Sequence, residues 1–286
     1  MWKRTAVTAG MLGAAMMLAS CSSADSEETD AGEAPSFEEG TTMAQLAADG
    51  SVTIGTKFDQ PLFGLQGPDG VPVGFDVEIA TLLAGELGIS EDDIEWVETV
   101  SANREPFIQD GRVDFVVATY TINDARKEVV DFAGPYYEAG QSLMVTVDNS
   151  DINGPDDLAG KTVCSVDGST PAQEIETNFP DTELRTFAAY TDCLDPLRNG
   201  QVDAVTTDNV ILAGYVAESP DDFKVVGDPF TAEPYGIGMT KGDDEFRSWI
   251  NDTLEEAYED GRWTAAWEAT AGEVLPTPEP PAVDRY

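Results

Sequence analysis

The sequence predicts an α/β protein built on two mixed, mainly parallel sheets. Short apolar runs alternate with stretches of helical periodicity, the pattern of strands joined through helices. A chain of 286 residues with 41% hydrophobic content has material for one or two ordinary cores. Two β-rich segments, 141–147 and 235–240, are too long for turns and read as crossings by which the chain leaves one lobe and later returns.

The elements follow in order. Residues 51–56 form a strand, and 77–87 a helix whose apolar residues fall at helical spacing and end near Gly88. A helix over 104–111, closed by Gly111, leads to a buried strand at 113–118. Strands at 161–166, 184–187, 204–206 and 224–226 are separated by helices at 171–178, 192–199 and 210–216. Amphipathic helices at 246–258 and 263–270 end the fold.

The ends read differently. Met1-Trp2-Lys3-Arg4 is a basic start followed by uncharged residues 5–18, shorter than the roughly 20 residues needed to span a bilayer, so residues 1–20 read as an export signal. Leu18-Ala19-Ser20-Cys21 resembles the lipobox of bacterial lipoproteins, which implies acylation at Cys21 and anchoring to the outer face of the cytoplasmic membrane. Residues 21–46, dominated by small, polar and acidic types without apolar periodicity, are expected to be a flexible tether. Residues 273–286 are Pro-rich and expected to form an extended tail. With Cys21 set aside, Cys164 and Cys193 remain; in an oxidising setting a disulfide is favoured over two free thiols.

Charge narrows the function classes. The chain holds 15 Lys and Arg against 55 Asp and Glu, a formal charge of -40, which disfavours nucleic acid and anionic membrane surfaces as partners. The absence of His removes His-dependent acid–base chemistry and His metal ligation, and no metal or other cofactor is expected. Against that background Lys57, Arg104 and Arg126 stand out, because each sits near a predicted strand end with no obvious acidic partner in the flanking sequence. At physiological ionic strength screening acts over about 8 Å, so cations lining a cleft can hold an anion despite the global charge.

Several stretches carry a resemblance to one family. They are Gly74-Phe75-Asp76-Val77-Glu78-Ile79-Ala80, Gly111-Arg112-Val113-Asp114, Thr119 to Arg126 with Phe132 and Pro135-Tyr136-Tyr137 behind it, Gly168-Ser169-Thr170, and Asp208. In this order they resemble the extracellular solute-binding proteins of amino-acid ABC transporters, family 3. Ser101-Ala102-Asn103-Arg104 and Cys164-Ser165-Val166 bring the likeness nearest to the glutamate-binding lipoproteins of actinobacteria. The resemblance implies a two-lobed, type II periplasmic-binding fold, with lobes of residues 47–135 plus 236–272 and 140–231. It also implies a monomeric receptor for L-glutamate or aspartate that delivers its ligand to permease subunits and catalyses nothing.

A buried amino acid needs an opposite charge for its carboxylate and for its ammonium. Arg126 offers a planar fork for the α-carboxylate, with Thr121 adding a hydroxyl and Thr119 a backbone group. Ser169 and Thr170 follow Gly168 at a strand-to-helix turn, where free N–H groups favour an anion and capping is the competing role. The resemblance gives Asp208 the ammonium. Lys57, Ser101 and Arg104 are expected to select a side-chain carboxylate, Arg104 having an ion pair with Glu105 as its alternative, and Phe58 to pack on the ligand's methylenes. Two other functions compete: a prephenate or arogenate dehydratase-like enzyme on the same scaffold, and a ligand sensor for a signalling receptor.

Overall fold

The computed structural model describes residues 35–286, so the expected export signal, Cys21 and the tether up to residue 34 lie outside the described residues. The first helix, α1 (Thr42–Asp49), is capped by Thr41, whose hydroxyl accepts from the Ala44 N–H, and is closed by Gly50 at φ 67°. Residues 42–46, assigned to the tether, are thus folded. Met43 and Leu46 are buried in the main core, and this packing, absent from any local composition signal, holds the helix.

From there the chain runs β1 (Val52–Thr56), β2 (Asp59–Gln60), β3 (Gly64–Gln66), β4 (Pro72–Val73), α2 (Phe75–Glu86), β5 (Ile94–Glu98), α3 (Arg104–Gln109), β6 (Phe115–Val116), α4 (Asp124–Lys127) and β7 (Asp131–Ala139). It continues through β8 (Gln141–Thr146), β9 (Thr162–Val166), α5 (Thr170–Asn178), β10 (Glu183–Phe187), α6 (Thr191–Arg198), β11 (Ala204–Asp208), α7 (Asn209–Glu218) and β12 (Phe223–Val226). It returns with β13 (Glu233–Met239) and closes on α8 (Asp244–Asp260) and α9 (Arg262–Glu268).

One five-stranded sheet has the order β5-β1-β6-β13-β7 and the other β10-β9-β11-β8-β12. In each, three parallel strands are extended by antiparallel ones: β13 on β6 and β7, and β8 on β11 and β12. A small antiparallel sheet, β2-β3-β4, lies between β1 and α2 in the chain. The segments 141–147 and 235–240, expected as β-rich crossings, lie largely within the sheet strands β8 and β13, and the links between sheets are shorter. One is Gly140, where a Cβ would come within 2.7 Å of the Thr231 carbonyl and of Pro229 in the other link. Only glycine lets the two links pack back to back, and the Gln141 N–H then donates to Thr231 Oγ1 at 3.0 Å.

The first sheet packs on an aromatic cluster in which Phe75 meets Trp263 and Trp267 edge-on at 5.5 and 5.1 Å, while Tyr137 stacks on Trp267 at 4.9 Å. In the other sheet β9 is anchored to α6 by Cys164–Cys193, with Cα atoms 5.8 Å apart. The Pro-rich tail has no regular structure, yet its end is docked. The Asp284 N–H donates to the Gly134 carbonyl at 2.8 Å and the Phe132 N–H to the Tyr286 hydroxyl at 2.9 Å. The tail therefore covers part of β7, an edge strand with backbone groups to satisfy. The Tyr286 ring lies 3.8 Å from Lys127 Nζ and 4.4 Å from Arg247 Cζ.

Candidate functional site

Strand ends of both sheets converge on a small cavity of about 10 Å³, room for little more than a water. Ser101, Arg104, Thr119, Thr121, Ser169, Thr170 and Asp208 line it. Arg126 lies on a wider, open space of about 400 Å³ that it shares with Glu105 and Gly168. Lys57 lines neither space but donates to Ser101 Oγ at 2.9 Å. Phe58 is partly buried and lines neither.

The geometry starts at a bend. Thr119 follows β6 with φ 43°, one of two non-glycine left-handed residues among those described. Asp76, buried in the first turn of α2, holds it: Oδ2 accepts from the Thr119 N–H at 2.7 Å and Oδ1 from the Tyr136 hydroxyl at 2.6 Å. Burial pushes the Asp76 carboxyl up to about 7 against both of these bonds and the pull of Lys57. The bend turns two carbonyls inward, and Arg104 Nη1 donates to Ala118 O at 3.0 Å and Thr119 O at 3.2 Å. Its guanidinium lies 4.2 Å from the Tyr120 ring centre. Lys57 is lowered to about 7, first by burial and then by the Arg104 charge, with Asp59 and Asp76 acting in the opposite sense.

Arg126 departs from the expectation of a cation without an acidic partner. Its Nε pairs with Glu105 at 3.1 Å, Nη1 donates to Thr121 O at 2.7 Å and Nη2 to Gly168 O at 3.1 Å. Glu105, the alternative partner expected for Arg104, is brought by α3 and α4 to Arg126 instead. Burial and the neighbouring Arg104 lower Arg126 to about 10. Gly168, at φ 75°, lets its turn pack against the backbone at Ala102, since a Cβ there would come within 2.7 Å of Ala102 Cα.

Across the cleft Ser169 caps α5 by accepting from the Ala172 N–H at 3.1 Å. Thr170 and Thr121 both donate to Glu233 Oε2 at 2.7 Å, joining three segments. On the other side Asp59 Oδ2 accepts from the Tyr190 N–H, and Asp59 O from the Tyr215 hydroxyl, each at 2.8 Å. Asp208 is buried and raised to about 7 by burial and by Glu233. Its Oδ1, together with Gln60 Nε2 and Thr207 Oγ1, has no hydrogen-bond partner among the described residues. Such buried polar atoms are costly unless something bonds them.

Sequence reasoning missed Gln60, Pro171, Tyr190, Thr207 and Ile211 in the lining, and Glu233 as the shared acceptor. Thr207 was one step from Asp208 on a predicted strand end. Gln60 and Glu233 sit on elements with no helical or alternating pattern to mark them.

Residues 52–269 match the family described as bacterial extracellular solute-binding proteins, family 3. The glutamate-binding protein GluB of Corynebacterium efficiens is 44% identical over 234 residues, covering 78% of this chain and 80% of the relative. The glutamine-binding protein GlnH of an ABC transporter in Bacillus subtilis is 38% identical over 254 residues, 88% of this chain and 91% of the relative. Among solved structures, an ancestral arginine-binding protein bound to glutamine superposes with a TM-score of 0.73 at 36% identity, covering 77% of this chain and 97% of that one.

Proposed function

Because the chain belongs to the bacterial extracellular solute-binding proteins of family 3, we propose that it is an extracellular amino-acid receptor whose ligand is L-glutamate, with aspartate bound more weakly. It binds and does not catalyse; its relatives are named as binding proteins. One observation carries the ligand assignment. The Arg104 cation, with Lys57 behind Ser101, and Asp208 with a partnerless Oδ1 border the same small cavity, which takes a ligand once the lobes part. A molecule with one ammonium and two carboxylates satisfies this arrangement.

In this reading Asp208 takes the α-ammonium. Arg126, Thr121, the Thr119 backbone and the Ser169–Thr170 turn take the α-carboxylate, and Lys57, Ser101 and Arg104 the side-chain carboxylate. Phe58 closes the rim over the methylenes. Arg126 Nη2 leaves the Gly168 carbonyl to bind the ligand. The lobes of residues 47–135 plus 236–272 and 140–231 close over it about the two short links, and the closed form, tethered through acylated Cys21, delivers glutamate to permease subunits. Calorimetric titration of the chain against the twenty amino acids tests the reading. Acidic amino acids are expected to bind most tightly, and tightest binding of a cationic amino acid, or none at all, would refute it.

A further inference from the structure

The strand that returns to the first sheet carries a buried phenol that no sequence motif marks. Tyr235, on β13, is 0% exposed, and its hydroxyl donates to Asp208 Oδ2 at 2.6 Å. β13 belongs to one sheet and Asp208 ends β11 in the other, so the bond joins a hinge strand of the first lobe to the ammonium side of the second. The ring is fixed by its neighbours, with Phe63, Tyr136 and Tyr137 centred 6.1, 6.1 and 5.8 Å away.

Asp208 is also unusual for its position. It is the N-cap of α7, where an aspartate ordinarily turns back to accept a backbone N–H, yet it makes no side-chain cap bond. The carboxylate lines the cavity instead, with Oδ2 occupied by Tyr235 and Oδ1 without a partner among the described residues. A carboxylate with one oxygen anchored has lost the freedom to rotate into the capping position. Its remaining acceptor is held ready for a donor that arrives from outside.

We infer that Tyr235 is a positioning residue for ligand recognition: it holds Asp208 off the helix it would otherwise cap and presents Oδ1 to the ligand's α-ammonium. The inference rests on the assignment of Asp208 to that ammonium. The phenol also favours the ionised carboxylate. Burial and Glu233 on β13 push Asp208 up, while Tyr235, Arg104 from α3 and Arg126 from α4 pull it down; buried Tyr190, beside α6, faces the same charge. Without the phenol's hydrogen bond, Asp208 holds its proton to higher pH.

Calorimetric titration of the unmodified chain and Tyr235→Phe with L-glutamate at pH 6 and pH 8 tests this. Phenylalanine keeps the ring packing and removes only the donor. The variant is expected to bind roughly tenfold more weakly at pH 8, as for loss of a hydrogen bond to a charged group. At pH 6 the deficit relative to the unmodified chain should grow several-fold further, because more of the variant's Asp208 is protonated there. No deficit, or an equal deficit at the two pH values, overturns the inference, since a purely structural role has no reason to follow Asp208 titration. L-glutamine serves as second probe. If the unmodified chain prefers glutamine, the glutamate assignment fails, yet the pH comparison run on glutamine still decides the role of Tyr235, because both ligands carry the same α-ammonium. Binding of neither overturns both.

Discussion

Arg104 offers the sharpest separation between recognition of an amino acid in general and recognition of its side chain. In Arg104→Ala two inward carbonyls, Ala118 O and Thr119 O, lose their donor, and the cleft loses a buried cation beside Lys57. These two hydrogen bonds from a charged donor, at about 1.5 to 3 kcal/mol each, together with the longer one from Nε to Ser101 O at 3.3 Å, predict a stability cost of at least about 3 kcal/mol. For binding, a ligand carboxylate deprived of a buried charged partner costs about 2 to 5 kcal/mol, and one order of magnitude in Kd is about 1.4 kcal/mol, so glutamate affinity should fall at least ~30-fold. Glutamine has no side-chain charge to leave unpaired and should lose much less. Arg126→Ala, by contrast, should weaken glutamate and glutamine alike, because every α-amino acid carries the carboxylate assigned to it. The assay is calorimetric titration of the three proteins with both ligands, with thermal unfolding recorded to confirm that each is folded. A glutamate-to-glutamine ratio that narrows no more in Arg104→Ala than in Arg126→Ala would refute the division of labour between the two arginines.

Two further outcomes follow from the same geometry. Lys57, lowered to about 7, must be protonated to pair with a carboxylate, and Asp208, raised to about 7, must be ionised to accept an ammonium. Glutamate affinity should therefore fall as pH rises above neutrality, where Lys57 loses its proton, and also as pH drops below it, where Asp208 gains one. A profile flat from pH 5 to 9 would contradict this coupling. Reduction of Cys164–Cys193, whose partners are 29 residues apart, should add two protons by intact mass and lower stability by about 3 to 4 kcal/mol in denaturant unfolding. An unchanged unfolding midpoint would show that the bridge contributes nothing.

Much of the fold was legible because its central strands are buried on both faces and its helices carry apolar residues at helical spacing. The runs that became β1, β9 and β11 and the helices α2, α5 and α8 announce themselves through apolar spacing and glycine stops. What escaped depends on tertiary contacts. The short strands β2, β3 and β4 have too few residues to show alternation, and β5, a partly exposed strand at the sheet edge, breaks alternation at Trp96-Val97 and carries no long apolar run. Helix α1 is held by Met43 and Leu46 reaching the main core. At the site, the motifs named most of the cavity wall but not its partners. Nothing near Arg126 in the predicted elements says that Glu105 will face it, because that pairing needs α3 and α4 docked together. Asp76 stood inside a recognisable motif, yet its work on the left-handed Thr119 is visible only when the bend and the helix are seen as neighbours. Tyr235 lies in a segment expected as a β-rich crossing, and its hydroxyl gains meaning only from Asp208 in the other sheet.

The central claim is that the buried cations of this cleft select a second carboxylate. Competition between L-glutamate and L-glutamine for the unmodified chain, followed by calorimetry at pH 7, tests it most directly, because the two ligands share a shape and differ in one charge. Glutamine is expected to bind at least ~100-fold more weakly, about 2.7 kcal/mol, with aspartate between them. Glutamine binding as tightly as glutamate, or more tightly, would contradict it.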